Sequence, residues 1–180
     1  SPCSYKKNLD SRSNSLNLTK DLNSKFQRVK NTILNNLNYE ITTPGEYLTP
    51  DFFKGNISRT QEGLIFYDFE SFGLGDPARA FLNFVHHPGH EYKEEEIKHL
   101  YKAFKLAFAD NEFKKRLINI YDYVALDWLL IKAQRKSCQS KFEANKLLEE
   151  SLDKMLLKIE LKHTPLSPKE DIYDYIFKRL

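Results

Sequence analysis

The chain has 180 residues, of which 41% are apolar and 29% charged, and its formal net charge is +3. That length supports one compact domain with a core of its own, and the charge is too small, and too evenly spread, for a nucleic-acid binder. No apolar run approaches the roughly 20 residues of a membrane span and no signal-peptide core appears, so neither nucleic acid nor membrane is expected as a partner.

Residues 1–17 are rich in Ser, Asn and Lys without an apolar period, and read as a linker or disordered N-terminal end. Residues 18–180 are then the folded part. Leu18, Leu22, Phe26, Val29, Ile33 and Leu37 lie on one face of an amphipathic helix that Pro44-Gly45 must end. Residues 57–60 and 64–68 are short extended pieces, and Gln61-Glu62-Gly63 between them predicts a hairpin with a three-residue loop. Asp76-Pro77 is a helix start, with Asp76 as N-cap, and the helix stops at Pro88-Gly89. Three more apolar faces follow: Ile97, Leu100, Tyr101, Phe104 and Phe108; Leu117, Ile120, Tyr121, Val124, Trp128 and Ile131; Phe142, Leu148, Leu152, Met155 and Ile159. Ser167-Pro168 opens a short final helix. The fold class is mainly α (α+β), with a core that leans on 13 Phe and 10 Tyr. Two cysteines without ligand spacing, Cys3 and Cys138, suit a reducing cytoplasm.

The chemistry is concentrated in one stretch. Asp51 is followed five residues later by Asn56, and Asp68 closes the second strand. Phosphoryl transfer can use this set: one carboxylate takes the proton of the attacking hydroxyl, while an amide oxygen and a second carboxylate hold Mg²⁺ against the phosphates. The hairpin puts Asn56 and Asp68 at the same end of the ribbon, as a shared ion requires. If the chain stays extended past Asp68, Glu70 faces the same side and supports the metal. His86, His87 and His90 lack a further ligand at a recognised spacing and read as a solvated helix end rather than a zinc site.

Leu48-Thr-Pro-Asp-Phe-Phe-Lys-Gly-Asn-Ile57, Gly63-Leu-Ile-Phe-Tyr-Asp-Phe-Glu70 and Gly75-Asp-Pro-Ala78 together resemble the aminoglycoside phosphotransferase and choline kinase family. The resemblance implies the helical C-terminal lobe of a protein-kinase-like phosphotransferase, with one small β-hairpin carrying the catalytic and metal loops. It implies Asp51 as catalytic base and Asn56 and Asp68 as ligands of Mg²⁺; Thr49, Lys54 and Asp76 are the residues available to orient the loop. ATP and Mg²⁺ are the implied cofactors, and an alcohol on a sugar, aminoglycoside or choline-like molecule is the implied acceptor. If the acceptor carries an amine, Asp122, Asp127 and Glu143 are the acids available to meet it.

Nothing before Asp51 supplies the phosphate-covering loop or strand lysine of a kinase-like nucleotide lobe. The chain is therefore expected to need the N-terminal lobe of the same parent protein, and to be inactive alone. The sequence also departs from the family. Thr49-Pro50 stands where relatives have His-Gly, Phe53 stands where they have His or Lys, and Ala80 replaces a further Asp. Those departures support the alternative reading, a catalytically silent kinase-like binding module.

Overall fold

A computed structural model describes residues 2–38, 45–48, 54–70, 72–90, 92–108 and 111–161. The described residues are mainly helical, with two small antiparallel strand pairs. None of the described helices is long and apolar enough to cross a membrane. The chain divides into two units, Ser1–Tyr39 with Ala125–Leu180, and Glu40–Val124.

The first unit opens with a helix where a linker was expected. α1 spans Pro2–Asn14 and buries Leu9 and Ser13, with Leu16 buried just beyond. Its stability comes from long-range pairing rather than from an apolar stripe. Asp10 accepts from Lys30 Nζ at 2.5 Å, Arg12 pairs with Asp127 at 2.5 Å, and Gln134 Nε2 donates to the Arg12 carbonyl at 3.0 Å. Lys30 is itself buried, with its ammonium 5.6 Å from the Phe26 ring centroid. The chain leaves α1 through Asn17 at φ 47, a left-handed conformation that Asn tolerates better than most residues.

α2 spans Lys20–Asn36, and Thr19 caps it by accepting from the Leu22 amide at 3.3 Å. Leu22, Phe26, Val29 and Ile33 are buried, as their helical spacing demands. α2 packs against α6, Lys141–Leu161. The buried positions of α6 are Ala144, Leu148 and Leu152, four apart, whereas Phe142 is 74% exposed. Placing Phe142 on that face is thus corrected: it lies six residues before Leu148, off the row of four. Lys25 reaches Glu149 at 3.6 Å and Asp153 at 2.7 Å across this pair, which holds its ammonium pKa up.

In the second unit, β2 (Ile57–Thr60) and β3 (Gly63–Phe66) form the expected hairpin, with Ile57 opposite Phe66 and Thr60 opposite Gly63. Gly63 belongs to the strand, so the loop is two residues, not three. Its φ of +137 is a conformation that side chains disfavour, and glycine supplies it at no steric cost. A second pair joins β1 (Glu46–Leu48) to β4 (Gly73–Gly75), Leu48 opposite Gly73 and Glu46 opposite Gly75. Gly73 and Gly75 are therefore strand residues.

α3 spans Pro77–His86. It ends at His87, held extended (φ −63, ψ 126) as a residue preceding proline should be. α4 spans Glu94–Phe108 and α5 spans Phe113–Ser137. The core of this unit is aromatic: Phe81 meets Tyr101, Phe104 and Phe113 edge-on at 6.0, 5.6 and 6.0 Å. α5 buries residues on more than one face, among them Leu117, Tyr121, Tyr123, Leu126 and Leu130. The sequence stripe identified only one of these faces, because a helix apolar around most of its circumference has no single period to read. The helix expected after Ser167 lies outside the described residues.

Candidate functional site

The hairpin ladder extends one rung past its strands. A single turn of 3₁₀ helix, Lys54–Asn56, delivers Asn56 to the start of β2, and the Asn56 carbonyl accepts from the Tyr67 amide at 2.8 Å. The next residue along the opposite side is Asp68. Asn56 Nδ2 donates to Asp68 Oδ2 at 3.5 Å, so the two side chains meet at one end of the ribbon, as the spacing predicts.

Asp68 takes φ 61, the left-handed region in which a non-glycine residue is uncommon. This conformation ends the strand and swings the chain into a turn, closed by the Phe72 amide on the Phe69 carbonyl at 2.9 Å. Phe69 and Phe72 meet edge-on across that turn at 6.3 Å. The extended geometry on which the supporting role of Glu70 depended is therefore absent: alternation of side chains does not carry through a left-handed residue. Glu70 is exposed.

After β4 the chain reaches Asp76, which caps α3 by accepting from the Ala78 amide at 2.9 Å. The same carboxylate oxygen accepts from Arg116 Nε on α5 at 3.0 Å. Arg116 is 3% exposed and Asp76 12%. A buried arginine is stable only when paired, and here its partner sits at the junction of β4 and α3. Arg116 carries no signal of its own in the sequence, being 40 residues from Asp76.

Thr49 and Asp51 lie outside the described residues, in the 49–53 segment that joins β1 to the 3₁₀ turn. The backbone of Lys54 begins that turn. Of the acids considered for an acceptor amine, Asp127 is taken up by Arg12 and Glu143 lies 3.7 Å from Lys136.

The histidines after α3 are built into aromatic packing. His90 stacks between Phe84 at 5.7 Å and Tyr92 at 4.9 Å, His86 packs on Tyr121 at 5.2 Å, and His87 Nδ1 accepts from the Gly89 amide at 3.0 Å. Burial raises the Tyr92 hydroxyl pKa, helped by Glu96. Among the described residues no three His, Cys, Asp or Glu side chains group closely enough to hold a metal.

What the described pair offers a cation is oxygen. Asp68 presents a carboxylate, and a half-turn of the Asn56 amide brings its Oδ1 in place of Nδ2. Amide oxygen and nitrogen exchange places in this way with little change in shape. Their 3.5 Å approach is near the separation of two ligands on one magnesium ion, about 3 Å. Magnesium takes one or two protein carboxylates and completes its shell with water and phosphate oxygens, so this donor set fits it.

No family model matches the chain, and no curated protein or solved structure matches it either.

Proposed function

We propose that the chain is the C-terminal lobe of a small-molecule phosphotransferase, moving the γ-phosphate of ATP to a hydroxyl of a sugar, aminoglycoside or choline-like acceptor. The observation that carries this reading is the approach of Asn56 to Asp68 at the end of the β2–β3 hairpin. In isolation, an Asp and an Asn near turns are ordinary, since both residues favour them. Here the hairpin register brings them together from 12 residues apart, and a carboxylate beside an amide oxygen is a donor pair that Mg²⁺ accepts.

In this reading Asn56 and Asp68 hold Mg²⁺. When bound, it neutralises charge on the phosphates and so favours departure of the leaving oxygen. Asp51 accepts the proton of the acceptor hydroxyl as that oxygen bonds to the γ-phosphorus. The bond from that phosphorus to the β-bridging oxygen breaks, its electron pair leaving with ADP. Thr49 and Lys54 orient the loop around Asp51. Asp76 fixes the junction that follows the site. A cytoplasmic location supplies the ATP.

The surface of the hairpin agrees with a partner lobe in the parent protein. Leu64, Ile65, Phe66, Tyr67, Phe69, Phe72 and Leu74 are all at least 40% exposed. A two-stranded ribbon with both faces in water is marginal by itself, and large exposed apolar side chains on it mark a place where something else docks. A nucleotide-holding lobe covering this face would complete the site.

The test is ADP release by the parent protein with ATP, Mg²⁺ and a panel of sugars, aminoglycosides and choline-like alcohols. Turnover that depends on one acceptor class, and falls by roughly 10³-fold or more in Asp51→Ala with loss of the base and its positioning, is the expected outcome. No turnover with any acceptor, and no thermal stabilisation by ATP and Mg²⁺, would favour a silent binding module instead.

A further inference from the structure

We propose that Arg116 is a positioning residue for the Asn56–Asp68 pair, acting through Asp76 and β4; the proposal rests on the reading of that pair as a cation site. A helix cap needs only a short side-chain oxygen, which Ser, Thr or Asn provides without any cation nearby. Asp76 does more. Its Oδ1 accepts from both the Ala78 amide at 2.9 Å and Arg116 Nε at 3.0 Å. The guanidinium is 3% exposed, so α5 sets a buried charge against this point of the chain.

That point is joined to the pair along the chain. Asp68 and Asp76 are the two ends of one short segment: a left-handed residue, a closed turn from Phe69 to Phe72, then β4. The ladder partner of β4 is β1, with Leu48 opposite Gly73. Anchoring residue 76 on α5 therefore limits how far Asp68 can move. The planar fork of arginine suits this role because it fixes direction as well as charge.

The experiment is Mn²⁺ binding to the chain, followed by electron paramagnetic resonance, with Mn²⁺ standing in for Mg²⁺ at an oxygen site. Wild type, Arg116→Gln, Arg116→Lys and Asp76→Asn are compared, each with its thermal midpoint. The Asn56 side-chain amide resonances are recorded in the metal-free chain. Partners bonded directly to metal ligands are typically worth roughly 10–100-fold in affinity; Arg116 bonds Asp76 and not the pair itself, so Arg116→Gln is expected to weaken Mn²⁺ by less than that, several-fold, and to shift the Asn56 resonances. Arg116→Lys restores part of the affinity. If Arg116→Gln does not fold, Asp76→Asn carries the comparison, since it keeps an acceptor for the Ala78 amide and removes only the charge. An ion pair that serves stability alone would lower the midpoint while leaving Mn²⁺ affinity and the Asn56 resonances as in wild type, and that result overturns the proposal. Failure of the wild-type chain to bind Mn²⁺ at all overturns the cation site and the positioning role with it, whereas wild-type binding with unchanged variants overturns the positioning role alone.

Discussion

Asp68 is the residue on which the site turns, and its backbone is as informative as its carboxylate. The left-handed region costs an L-residue about 1–2 kcal/mol relative to its ordinary conformations, and such outliers gather where function needs a particular geometry. At φ 61 a glycine would be unstrained and an alanine would not. Asp68→Ala should therefore be less stable than Asp68→Gly by about 1 kcal/mol in urea unfolding, although both remove the same carboxylate. Equal stabilities would mean that the folded chain does not require this conformation. The pairing of Asp68 with Asn56 was readable from the residues, because hairpin register converts sequence spacing into position. The conformation of Asp68 itself was not, and it ends the extended run on which the reading of Glu70 relied. Arg116 and the Arg12–Asp127 pair also went unread. They are contacts between distant segments, and no local pattern encodes a partner 40 or more residues away.

At the scale of elements, what could be read was what repeats. α2, α3, α4 and the Leu148–Leu152 part of the α6 row follow from periodicity and from the Asp76-Pro77 start. The pair formed by β1 and β4 did not, because three-residue strands are too short to show alternation. α1 is the instructive failure. Among its described side chains the one large and fully buried is Leu9, at 0% exposure, and a single leucine in a polar stretch has the composition of a linker. Pairing with α2 and α5 supplies what local propensity does not. If α1 is an integral part of its unit, Leu9→Ala opens a cavity and should cost about 2–5 kcal/mol in chemical denaturation. A frayed segment would tolerate the same change within about 0.5 kcal/mol, as surface positions do. A neutral result would restore the linker reading of residues 1–17.

For the molecule as a whole, the contrast between its two kinds of apolar surface sets the most direct expectation. Phe81, Leu117, Tyr121 and Leu126 are enclosed, while Leu64, Phe66, Phe69, Phe72 and Leu74 stand 40–66% exposed along one stretch of chain. Soluble surfaces rarely leave so many large apolar side chains in water along one stretch of chain unless something covers them. The enclosed set governs stability, because each side chain loses most of its hydration on folding and about 25 cal/mol per Å² goes with it. The exposed set has little to lose. Replacing Leu64, Phe66 and Leu74 together by Ser should therefore change the unfolding midpoint only slightly, yet markedly reduce binding of a hydrophobic dye such as 1-anilinonaphthalene-8-sulfonate. In the parent protein, where the proposed nucleotide lobe covers the hairpin, dye binding should already be low, and the same triple change should separate the lobes and weaken ATP binding. Dye binding that survives the triple change would place the apolar surface elsewhere. A large loss of stability would mean that the hairpin is packed inside its own unit, and no covering lobe would then be needed to explain its composition.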